Sequence, residues 1–208
     1  MKININECSI VLVGAWNVAL FRQEWLSHNI FDGQDLSGKI SLQPSGPVIR
    51  HSFENISITV HPDRLILSYK ELNKDAFAVA EQTITKTLKT LKHTPIGAIG
   101  INFGFVEEGL PTSLTSLFDL KDNADIAKNK GDVEITEIKR LLKFGDTELF
   151  LKQIFADQKA YFEFNYHREV SSTEESAAYF KDKVSPYFDK SVNLLDTLYG
   201  LKLNESEE

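Results

Sequence analysis

A single cysteine, Cys8, excludes an internal disulfide and any all-cysteine metal site. Glycine and proline are sparse, at 11 and 6 residues, which removes collagen-like and low-complexity classes. The apolar run Ile10–Trp16 is far too short to cross a bilayer. Met1-Lys2-Ile3-Asn4-Ile5-Asn6-Glu7 carries an acid where a signal peptide would place its apolar core. These absences point to a cytoplasmic chain without a membrane partner. The phosphate-binding loop, the His-Glu-x-x-His zinc motif and the Gly-x-Ser-x-Gly nucleophile turn are missing too. Gly97, Gly100 and Gly104 do not fit dinucleotide-binding spacing and lie inside a strand-like run. No cofactor, no metal site and no catalytic residue is therefore expected, and the balance leans away from an enzyme.

What the chain does have is an ordinary globular composition. Its 208 residues are 42% hydrophobic and 25% charged, enough to build a core without staples. The net charge of −7 repels phosphate, so nucleic acid is a disfavoured partner. That charge is uneven: residues 1–94 carry net +1 and residues 95–208 net −8. Twelve of the 22 aromatic residues fall between Phe144 and Tyr199.

Periodicity separates strands from helices. Ile56, Ile58 and Val60 alternate with Ser57 and Thr59, the period of a half-buried strand. His61-Pro62-Asp63 then turns the chain, and Arg64–Glu71 returns as a strand. Asn73 caps a helix to about Lys92, with Phe77, Ala80, Ile84, Leu88 and Leu91 on one stripe. Further strands are predicted at 9–16, 39–42, 48–53, 96–106, 133–144, 148–155 and 160–170. Shorter helices are predicted at 20–30 and 111–120, and a polar loop at 121–131. Glycines in the 96–106 strand suggest bulges or a closely packed helix. Ser172 and Glu175 form a capping box for the last helix, Pro186 should kink or split it, and Gly200 should end it.

The same order of elements occurs twice. Each half reads as an opening strand, a short helix, a meander of three or four strands and a long helix. The expected fold is α+β, with antiparallel sheets covered by long helices and two related β-α-β(3/4)-α units. The units span 1–94 and 95–203 in one compact two-lobed body, and 204–208 is an acidic tail expected to be disordered. Side by side they could form one curved sheet with both long helices on its convex face. This element order resembles the TATA-binding-protein-like and helix-grip folds, an analogy that carries no function by itself.

A segment of sequence adds a second resemblance. Ile58-Thr59-Val60-His61-Pro62-Asp63-Arg64-Leu65-Ile66-Leu67 precedes the long helix, and Ile99-Gly100-Ile101-Asn102 follows it. Together, over about residues 48–106, they resemble the mid-section of a sporadically distributed, functionally uncharacterised bacterial protein family. That family has a strand, a Pro-Asp turn, a strand, a long helix and a strand carrying glycine and asparagine. Ile101 departs from the basic or aromatic residue the family has there. The resemblance implies a bacterial protein and no particular chemistry.

Candidate binding residues come from three places. Phe162, Phe164 and Tyr166 share one strand face; they make a core against the last helix, unless some aromatics face outward as a binding surface. His61 and Asp63 sit close in a turn, where a His/Asp pair can bind metal or move protons. Lys139, Arg140 and Lys143, with Lys152 nearby, form the one basic cluster of the acidic half, suited to a phosphate or an acidic partner. Asp119, Asp122 and Asp125 read as a solvated acidic face. The expected function is non-catalytic binding or assembly through a sheet face or edge, with a protein partner or self-association as a homodimer. The alternative is a small-ligand-binding or enzymatic helix-grip-like protein, taking a small apolar ligand between sheet and long helix.

Overall fold

The computed structural model describes residues 1–43, 46–109, 111–129 and 131–204. Strands are β1 (Lys2–Ile3), β2 (Ser9–Gly14), β3 (Ser37–Gln43), β4 (Gly46–Phe53), β5 (Ile56–Val60), β6 (Arg64–Tyr69), β7 (Ile96–Glu108), β8 (Ile135–Phe144), β9 (Thr147–Ala156) and β10 (Lys159–Glu169). Helices are α1 (Gln23–Asn29), α2 (Lys74–Thr90), α3 (Thr112–Phe118), α4 (Asn123–Lys128), α5 (Thr173–Phe180) and α6 (Val184–Tyr199). Residues 205–208 of the acidic tail and Pro44 of the early loop lie outside the described residues.

All ten strands join one antiparallel sheet, in the order β3-β4-β5-β6-β2-β7-β10-β9-β8. The short β1 pairs with the end of β7. In both halves the opening strand lies beside the last strand of its own meander, β2 beside β6 and β7 beside β10. The opening strands then pair with each other, Ile10 opposite Ile101 and Leu12 opposite Ile99. All four of these side chains are buried.

One side of the sheet is apolar because alternate residues of every central strand are apolar. Ile58, Leu67, Ile10, Ile101 and Tyr166 lie in one cross-strand row on that side. The helices cover it. Phe77 of α2 meets Phe103 at 6.3 Å between ring centroids, and Phe188 of α6 meets Phe103 and Phe105 at 5.5 and 5.9 Å. Tyr187 stacks on Tyr166 at 4.3 Å. The space between sheet and long helices is thus filled with aromatic rings.

Helix ends follow local chemistry, with corrections. Asn73 caps α2 by accepting from the Ala76 N–H at 2.8 Å. Ser172 caps α5 through the Glu175 N–H, while the Glu175 carboxylate reaches back to Ser171 rather than to Ser172. The last helical stretch is split, as Pro186 predicts, within the turn that precedes it. The break is at Lys181–Lys183, where Asp182 has φ 54°, and Pro186 lies in the first turn of α6, where its missing N–H costs nothing. Gly200 ends α6 at φ 69°, in the left-handed region that favours glycine. The polar run 121–131 is not all loop, because it contains α4. The glycines of β7 act as expected: Gly97 is the extra residue at the register shift against β2, and Gly104, facing away from the long helices, lets the short helical turn Ile5–Glu7 pack onto the strand.

Candidate functional site

The side of the sheet away from α2, α5 and α6 carries a different chemistry. One cross-strand row runs Ser37, Ser52, Ser57, Ser68, Ser9, Asn102, Asn165, Phe150, Leu141 across nine strands. Five hydroxyls and two carboxamides give way to two apolar side chains at the β8 edge. Phe150 and Leu141 are 44% and 49% exposed, so the apolar end of the row is open to solvent.

A groove of about 660 Å³ lies over this end. Asn102 and Asn165 floor it, Phe150 and Leu141 form its apolar wall, and Glu163, Lys152 and Lys139 flank it. The N-terminal turn at Ile5–Glu7 makes the remaining wall with Asn6 and Glu7. That turn sits directly on Gly104, where an added Cβ would lie 2.5 Å from the Glu7 Cβ. Glycine there lets the N-terminal turn reach the groove. Asn102 donates to the Ser9 hydroxyl at 3.1 Å, whereas the Asn165 Oδ1 is buried without a protein partner.

Both lysines beside the groove are ion-paired. Lys152 meets Glu163 at 3.3 Å and Glu137 at 3.5 Å, and Lys139 meets Glu137 at 2.7 Å. The Lys139 hydrogen bond holds the Glu137 carboxyl below its ordinary pKa. Partial burial works against the Lys152 ammonium, but Glu163 and Glu137 outweigh it and its pKa is raised.

The sequence candidates scatter. Phe162, Phe164 and Tyr166 are fully buried on the helix side, so they are core; the residues of β10 that face the other side are Glu163, Asn165 and His167. His61 and Asp63 lie at the tip of the β5–β6 hairpin. The Asp63 carboxylate turns to Arg64 at 3.6 Å, and the Pro62 and Asp63 carbonyls accept from the Trp16 and Gly14 N–H groups at 2.8 and 2.9 Å. This is a structural turn that extends the β2–β6 pairing. Lys139 and Lys143 share the uncovered side with Leu141, as their spacing predicts. Arg140 faces the helix side and donates to Gln153 and to Tyr199. The basic cluster is therefore divided between two faces, and Lys143 pairs with Glu148 at 3.3 Å.

Other chemistry-bearing groups are occupied structurally. Cys8 is buried, donates to the Asn4 carbonyl at 3.3 Å, and burial pushes its thiol up to about 11, which keeps it an unreactive thiol. Asp125 pairs with Lys128 at 2.8 Å. No group of three or more His, Cys, Asp or Glu side chains is placed to hold a metal among the described residues. No helix among them is long and apolar enough to cross a membrane. Sequence reasoning had the alternation that puts Asn165 on the uncovered face, but not the strand register that sets it beside Asn102, Ser9 and Phe150. No protein-family model matches the chain, and no curated protein matches it.

Proposed function

We propose that this is a non-catalytic binding or assembly protein whose working surface is the uncovered side of the sheet over β7–β10 and the adjoining β8 edge. One observation carries this reading. Of the eleven most exposed large apolar residues among those described, Ile135, Leu141 and Phe150 lie together on the uncovered side of β8 and β9, and Leu141 and Phe150 line the open groove. Exposed apolar side chains clustered beside polar groups mark interaction surfaces. Between the sheet and the long helices the space is filled by Phe77, Phe103, Phe105, Tyr166 and Phe188, which favours a surface over an interior cavity; an open groove of about 850 Å³ between α2 and α5 lies on the outer surface of the helices.

The two-unit reading and the likeness to the bacterial family and to TATA-binding-protein-like order belong to the same proposal. The matching positions of β2 beside β6 and β7 beside β10 support the units. The lone, inert thiol supports a cytoplasmic setting.

The test compares the chains that co-purify with the protein, with a Phe150→Asp variant and with a Lys74→Glu control at the exposed start of α2. A stoichiometric partner lost with Phe150→Asp and kept with Lys74→Glu is the expected result. Partners unaffected by Phe150→Asp would overturn the assignment of the groove.

A further inference from the structure

The β8 strand is ten residues long and, among the described residues, pairs on one side only, with β9. Its outer edge presents unpaired backbone groups to any strand that fits. No proline interrupts it, and its pairing with β9 runs from Ile135 to Phe144 without a register shift. Bulges and prolines are common ways to blunt an edge, and β8 has neither. What it does have is charge: Glu137, Lys139, Arg140 and Lys143. Charges on an edge prevent indiscriminate pairing, and they also select among registers.

A second copy of the chain is the one partner whose sequence is known at every position. Two-fold symmetry with the helices of both copies on the same side allows antiparallel β8–β8 pairing only about a residue that faces itself. Four such registers pair seven or more residues of β8. Centring on Lys139 sets Lys139 against Lys139, and centring on Arg140 sets Arg140 against Arg140. Centring on Leu141 sets Lys139 against Lys143 twice. Centring on Ile138 places no like charges opposite each other. It sets Glu137 against Lys139 twice and Ile135 against Leu141 twice, all on the uncovered face, with Ile138 meeting itself beneath. Ile135 is 65% exposed and Leu141 49%, so this pairing covers the two most exposed apolar side chains of the strand.

We infer that the chain forms a two-fold dimer by antiparallel pairing of β8 with β8 about Ile138, joining two sheets into one of twenty strands. The dimer goes beyond the groove reading: the β8 edge takes a second copy, and the groove beside it, which Lys139 and Leu141 also line, then has a mirrored neighbour across the axis.

Sedimentation equilibrium over a concentration series reports the mass. The expected species is a dimer. Glu137→Lys and Lys139→Glu each turn two attractive cross-strand pairs into repulsive ones and weaken dimerisation by roughly tenfold or more. The double exchange, Glu137→Lys with Lys139→Glu, restores it. Register is read separately by single cysteines under mild oxidation, with buried Cys8 as a silent background. Ile138→Cys should cross-link to itself faster than Lys139→Cys or Arg140→Cys, since only directly opposed positions bring Cβ atoms within disulfide reach. A monomer at all concentrations overturns the dimer. So does a dimer indifferent to both charge reversals, or one cross-linked best at 139 or 140. Phe150→Asp leaves the β8 backbone and charges intact and should still dimerise, so failure of the edge and failure of the groove are distinguishable.

Discussion

Glu81 shows how one side chain can position an element far away in sequence. It lies on α2, and its carboxylate accepts from the backbone N–H groups of Asp182, Lys183 and Val184 at 3.2, 3.0 and 2.7 Å. Val184 opens α6 and Asp182 and Lys183 lead into it; the N-cap residue, Lys183, makes no side-chain cap bond, and its N–H also donates to the Phe180 carbonyl at 3.3 Å. A negative charge at a helix N-terminus also meets the favourable end of its dipole. Glu81→Ala leaves three donors without this acceptor and removes the charge. Its expected cost is about 2 kcal/mol, with Glu81→Gln costing roughly half that. Urea unfolding of both variants checks the order. Equal stability of the wild type and Glu81→Ala would show that water replaces the carboxylate.

At the scale of elements, the helices of the covering layer differ in what caps them, and this gives them different responses to acid. Helix α2 begins at Asn73, whose carboxamide does not titrate. Helix α5 begins at Ser172 with Glu174 and Glu175 in its first turn. Both carboxyls have lowered pKa values. For Glu174 the main cause is its own backbone N–H, and for Glu175 it is the Ser171 N–H. A lowered carboxyl pKa stabilises the fold above its unfolded value, near 4.5, and that contribution is lost as pH falls through the folded value. Amide protection across α5 should therefore drop as the pH falls below about 4.5, while α2 keeps its protection. Hydrogen exchange at matched intrinsic rates reads this directly; parallel loss in both helices would assign the acid response to the whole fold.

The same elements show what the sequence could reveal. Asn73, Ser172 and Gly200 are local signals, and each marks the helix end it predicts, because capping depends on a few adjacent residues. The β5–β6 turn and the alternation along β10 are local as well. Pro186 predicted a split and the helix splits just before it: without an N–H it cannot bond the Asp182 carbonyl, and the break falls at Lys181–Lys183. The groove was not legible. Its parts come from β7, β8, β9, β10 and the N-terminal turn, and only strand register brings Asn102, Asn165 and Phe150 into one row. Phe162, Phe164 and Tyr166 drew attention by type alone, and burial beneath α6 makes them core.

The whole molecule is held together across its middle. The uneven charge of the two halves meets at the β2–β7 seam, where Ile10, Leu12, Ile99 and Ile101 are fully buried. The buried apolar residues form one connected cluster running from Met1 to Leu201, with members from both halves. The covering layer crosses the seam as well. Glu81 caps α6 from the first half, and the Thr173 hydroxyl donates to the Lys92 carbonyl at 2.7 Å. Cutting the chain between Thr94 and Pro95 would uncover Ile10 and Leu12 on one fragment and Ile99 and Ile101 on the other. Each fragment would also gain a bare central strand edge, a template for aggregation. Calorimetry of the intact chain should therefore show one cooperative transition, despite the repeated order of elements. Residues 1–94 and 95–208 made separately should each lack fixed tertiary structure, and mixing them should recover it. Two resolved transitions, or a fragment that folds alone with a sharp melt, would mean that the seam joins two independent bodies rather than completing one core.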